Sequence, residues 1–154
     1  MKLQKDLREF VELLNSRGVE YLVVGAHAVA FHGHPRFTGD IDFWVRPEMR
    51  NAHRIVDVLR AFGFEELGFA ASDFVKAGMV VQLGQPPNRI DLLTSISGVD
   101  YDSAWRSRAE GFLDDLPASF LGFESLIANK LASRRPNDLA DVAQLRAIAA
   151  ARKK

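Results

Sequence analysis

Cysteine is absent from the chain, so neither a disulfide nor a thiolate-ligated metal is open to it. That absence suits a reducing compartment, and the expected location is the cytoplasm. Also missing is any run of about 18 apolar residues, the length a membrane-crossing helix needs. The opening residues Met1-Lys2-Leu3-Gln4-Lys5-Asp6 lead into a charged amphipathic pattern, not the apolar stretch of a signal peptide. Neither charge is in excess, since 20 basic residues balance 20 acidic ones. A protein held to nucleic acid mainly by electrostatics carries a basic surplus, so any such contact here needs a local patch. No internal repeat, low-complexity stretch or linker interrupts the 154 residues. That suits one domain over 1–150 and a fraying tail over 151–154.

The composition is 47% hydrophobic and 26% charged, enough apolar material for a core without staples. Leu3, Leu7, Phe10, Val11 and Leu14 fall at helical spacing and predict an amphipathic helix over 2–16. Tyr21-Leu22-Val23-Val24 is a short continuous apolar run, the mark of a strand covered on both faces. It ends at Gly25, after which 26–31 reads as a short helix and 34–38 as a loop. Residues 40–45 alternate as a strand. Ala52, Ile55, Val56, Leu59 and Phe62 mark a third helix. Two strands over 79–83 and 89–93 follow, joined by Gly84-Gln85-Pro86-Pro87-Asn88. Residues 101–116 fit no single pattern. Two helices, 123–133 and 136–150, close the chain, with Pro136 placed to open the second. The expected fold is α+β: a small mixed sheet flanked by helices.

Aspartate is a poor strand former, yet Asp40-Ile41-Asp42 sits in an otherwise β-prone segment. With a period of two, both carboxylates share a face, their Cα atoms about 6.6 Å apart. Ile41, Phe43 and Val45 take the other face. Asp91 repeats the anomaly within Arg89-Ile90-Asp91-Leu92-Leu93. If the two strands are neighbours, three carboxylates converge, and like charges at that spacing call for a cation. Oxygen-only donors favour Mg²⁺ or Mn²⁺, and such a cluster can hold two ions about 3.5 to 4 Å apart for phosphoryl transfer. The bland alternative is that these aspartates are simply solvated on an open sheet face.

Val24-Gly25-Ala26 carries a strand straight into a helix, where Gly25 permits a phosphate to approach free backbone N–H groups. Many such turns carry glycine for conformation alone. Arg36 in the next loop is a candidate phosphate clamp, and Thr38 a brace for that loop; each is equally readable as an ordinary loop residue. Lys130 lies on the border of an apolar helical stripe, either snorkelling to solvent or facing a triphosphate. Asp138 and Asp141 share a face of the last helix, where Asp138 suits the helix dipole. His27, His32, His34 and His53 match no metal-ligand spacing, and His27 and His32 read as structural.

The run Gly25-Ala26-His27-Ala28-Val29, His32-Gly33, Arg36-Phe37-Thr38-Gly39-Asp40-Ile41-Asp42-Phe43 resembles the core motif of DNA polymerase β-like nucleotidyltransferases. Within that superfamily it is most similar to small bacterial proteins grouped with AbiEii-type toxins, several of which serve in toxin–antitoxin systems. The resemblance implies a nucleotidyltransferase fold in which Asp40, Asp42 and Asp91 bind the metals, with Asp91 as the third carboxylate. Gly25 and Ala26 would hold the phosphates of an NTP, and Lys130 and Asp141 would contact the nucleotide. The family commonly has Gly-Gly or Gly-Ser at the turn, whereas Ala26 fills the second place here. Three readings are thus open: NMP transfer, a non-catalytic nucleotide-binding regulatory partner, or a metal-dependent phosphohydrolase. The acceptor, whether tRNA, protein or small molecule, is not legible.

Overall fold

A computed structural model of the protein describes residues 3–34, 39–85 and 88–153. The chain opens with α1 (Lys5–Ser16), whose first N–H groups are capped by the Gln4 side chain at Asp6 and Leu7. Leu7, Phe10, Val11 and Leu14 bury its inner face, as their spacing predicts. Then come β1 (Tyr21–Val24), α2 (Gly25–Phe31), β2 (Ile41–Val45) and α3 (Met49–Ala61). Two short 3₁₀ turns, Glu65–Leu67 and Ala71–Phe74, lead to β3 (Val80–Leu83) and β4 (Ile90–Leu93). The remainder is α4 (Tyr101–Arg106), β5 (Ala109–Leu113), β6 (Leu116–Phe120), α5 (Phe123–Ser133) and α6 (Pro136–Arg152).

The six strands form one mixed sheet in the order β3-β4-β2-β1-β6-β5. β1 runs antiparallel to β2 and parallel to β6, while β2 runs parallel to β4. β3 and β5 are antiparallel edges, pairing with β4 and β6. One face, carrying Ile41, Phe43, Val45, Ile90 and Leu92, packs against α1 and α3. The other, carrying Leu22, Val24 and Trp44, is covered by α2, α4, α5 and α6. The alternation seen in sequence therefore separates two apolar layers, and Asp42 and Asp91 belong to the second face.

Three expectations change. β2 begins at Ile41, so Asp40 stands just ahead of the strand. The ambiguous stretch 101–116 resolves into α4 and the first part of a hairpin, β5–β6. The hairpin turns on Asp114, which adopts φ 58°. Residues 151–152 continue α6, which ends at Arg152. Among the described residues no helix is long and apolar enough to cross a membrane.

Candidate active site

β1 ends where β2 and β4 begin, so the functional residues gather at one end of these interior strands. Val24 pairs with Asp42, Asp42 with Asp91, and Asp91 with Gln82, a single row across four strands. Residues in register project on the same face, so the parallel pairing of β2 and β4 sets two carboxylates side by side. They share a hydrogen bond. Burial pushes the Asp42 carboxyl up to about 7, helped by the charge and hydrogen bond of Asp91 and then by the charge of Asp40, against a counter-pull from Arg89.

Gly25 explains its own identity here. It adopts φ 67°, and a Cβ on it would lie 2.2 Å from Asp42 Oδ2. The turn that opens α2 is therefore pressed against the carboxylate. Ala26, the next residue, is half-buried. His27 is buried beneath, with its ring hydrogen-bonded to the Asp40 backbone and Nε2 without a partner. Burial pushes its pKa below the usual value, keeping it neutral. His32 Nε2 meets the Leu121 carbonyl at 2.8 Å.

Asp40 faces the start of β4, where Oδ1 accepts the Arg89 backbone N–H at 3.0 Å. Arg89 is the residue that attention to carboxylates overlooks. Its Nε donates to Asp91 Oδ1 at 2.9 Å and an Nη to Asp91 Oδ2 at 3.3 Å, with the same Nη 3.8 Å from Asp40 Oδ2. The signal was available in sequence: Arg89 and Asp91 are two apart in a strand and so share a face.

Lys130 and Asp141 meet between α5 and α6. The Lys130 ammonium lies 3.0 Å from Asp138 Oδ1 and 3.0 Å from Asp141 Oδ2, with Lys130 and Asp141 both buried. Asp141 also stands 4.0 Å from His34 Nε2. Arg36 and Thr38 lie outside the described residues.

Among the described residues no three His, Cys, Asp or Glu side chains already close on one point as metal ligands. Arg89 stands on Asp91 instead. The donor chemistry nonetheless fits a hard divalent ion: Asp42 and Asp91 stand side by side in register, and Asp40 is near enough for its charge to act on Asp42.

The sequence profile of a family described as nucleotidyl transferase of unknown function (DUF2204) matches residues 3–154. The chain belongs to this family. A crystal structure from Thermotoga maritima, described as a candidate nucleotidyltransferase, matches with a TM-score of 0.57. That match covers 92% of this chain and 89% of the other, at 16% sequence identity. At such identity the likeness is one of fold, and the mixed sheet with its flanking helices is the nucleotidyltransferase fold. No curated protein matches the chain.

Proposed function

We propose that the protein transfers a nucleoside monophosphate from an NTP to a hydroxyl acceptor at a site built on Asp40, Asp42 and Asp91. The observation that carries this reading is the pairing of Asp42 with Asp91 in register, beside the glycine turn that enters α2. Mg²⁺ or Mn²⁺ held by the three carboxylates would neutralise the triphosphate and lower the pKa of the acceptor hydroxyl. Asp91 takes the hydroxyl proton. The acceptor oxygen bonds to the α-phosphorus, the bond from that phosphorus to the bridging oxygen breaks, and pyrophosphate leaves. Backbone N–H groups of Gly25 and Ala26 steady the phosphates, and Arg36 and Thr38, outside the described residues, are assigned to the same task from the sequence alone. Lys130 has three ammonium donors, two of them directed at Asp138 and Asp141, and the third is its means of reaching the nucleotide.

The likeness to AbiEii-type proteins extends the proposal to a toxin–antitoxin component working in the cytoplasm with a partner protein. A second reading, a nucleotide-binding regulatory partner without turnover, draws on Arg89 occupying the carboxylates and on Ala26 at the turn.

Incubation with each α-labelled NTP and Mg²⁺ or Mn²⁺ tests both, with RNA, protein and small-molecule acceptor pools and Asp42→Asn as control. Label should move to one pool with the wild-type protein only. Equal transfer by Asp42→Asn would sink the mechanism, and saturable NTP binding without transfer selects the regulatory reading.

A further inference from the structure

Arg89 is held by more than a passing surface contact. Two of its guanidinium nitrogens bracket the Asp91 carboxylate, its backbone N–H donates to Asp40, and its carbonyl accepts the N–H of Ile41. Its backbone thus joins β4 to the start of β2, and its side chain lies on the acidic row. The guanidinium carries the positive charge that the carboxylates lack, and its planar fork matches a carboxylate or a phosphate equally well. Its side chain is 28% exposed, and the residue precedes β4 instead of lying within it, so the guanidinium is open to solvent on one side.

We propose that Arg89 is an exchangeable counter-cation: it holds Asp91 and Asp40 while no divalent ion is bound, and passes to the triphosphate when the ion takes those oxygens. This deepens the transferase reading and rests on it. The guanidinium takes one contact from each Asp91 oxygen, so it weakens the hold of those oxygens on a divalent ion through like-charge repulsion and competition for their lone pairs. Displaced from Asp91, the fork stands beside the place where the negatively charged phosphates would enter. The metal-free protein then has a threshold for cation binding, and nucleotide lowers it by offering Arg89 a second anion.

The experiment is a Mn²⁺ titration followed by calorimetry and by electron paramagnetic resonance of the free ion. It uses wild type, Arg89→Ala, Arg89→Lys and Asp42→Asn, each checked for native circular dichroism. Without nucleotide, Arg89→Ala should bind Mn²⁺ about tenfold more tightly than wild type, the worth of one charge-assisted contact removed. Arg89→Lys keeps the charge without the fork and should fall between. With saturating Mn²⁺, Arg89→Ala should bind a non-hydrolysable NTP about tenfold more weakly. Mn²⁺ affinity unchanged or weakened in a folded Arg89→Ala overturns the proposal, as does unchanged nucleotide affinity. If wild type and Arg89→Ala both fail to bind Mn²⁺, with or without nucleotide, the carboxylate site itself is refuted and this inference goes with it.

Discussion

At the scale of single residues, Gly25 and Asp42 constrain each other. The turn needs φ 67° at residue 25, and the space a Cβ would take is filled by Asp42 Oδ2. Gly25→Ala should therefore cost about 1–3 kcal/mol of stability, measured by urea unfolding, through backbone strain and displacement of the carboxylate. The same variant should bind Mn²⁺ more weakly, because Asp42 must swing aside. Undiminished Mn²⁺ binding would show that the close approach has no bearing on the site. The sequence made this corner legible in part. Aspartate in a strand is an anomaly that needs no structure to notice, and Asp40, Asp42 and Asp91 all emerged that way. What period-two reasoning could not reveal is that Gly25 presses on Asp42, since that contact depends on β1 and β2 pairing with Val24 opposite Asp42.

Between elements, the contact least visible beforehand joins α5 to α6. Lys130 comes from the first helix and Asp138 and Asp141 from the second, with Arg134 at φ 57° making the tight turn between them. The shared face of Asp138 and Asp141 follows from helical spacing, but which partner they meet depends on how the two helices cross. Side-chain exposures of 8% for Lys130 and 6% for Asp141 mean that removing one partner strands the other charge. Lys130→Met should cost roughly 3–5 kcal/mol in chemical unfolding, and adding Asp141→Asn should recover part of it. A loss below about 1 kcal/mol would mean that water reaches the cluster and that surface-pair energetics apply. The β5–β6 hairpin was illegible for another reason. Gly111 and Pro117 each weaken a strand pattern, yet Gly111 makes room for the Phe31 ring, and β6 meets β1 only at Phe120, beyond the proline. Tertiary fit overrode the local signal.

For the whole molecule, the unusual charge state of Asp42 ties global stability to pH and to metal. An unfolded aspartate ionises near 3.8, while the folded protein holds the Asp42 proton up to about 7. Between those values the folded state binds a proton that the unfolded chain has released, so raising the pH favours unfolding. The contribution of this group is fully present below the unfolded value and is lost as pH rises through about 7. His27 and His32 act with the opposite sign: burial depresses both, and their contribution is lost as pH falls below the usual histidine range. The net curve therefore conceals Asp42, and only a comparison isolates it. The melting temperature of wild type minus that of Asp42→Asn should fall from about pH 4 to about pH 7 and level off above that, without metal. Mg²⁺ at the upper end should raise wild type and leave the variant where it was, because the ion supplies the positive charge that the proton supplied at low pH. A flat difference curve would mean that Asp42 ionises normally in the folded protein, and the crowding of carboxylates at these strand ends would then be relieved by solvent and Arg89 alone.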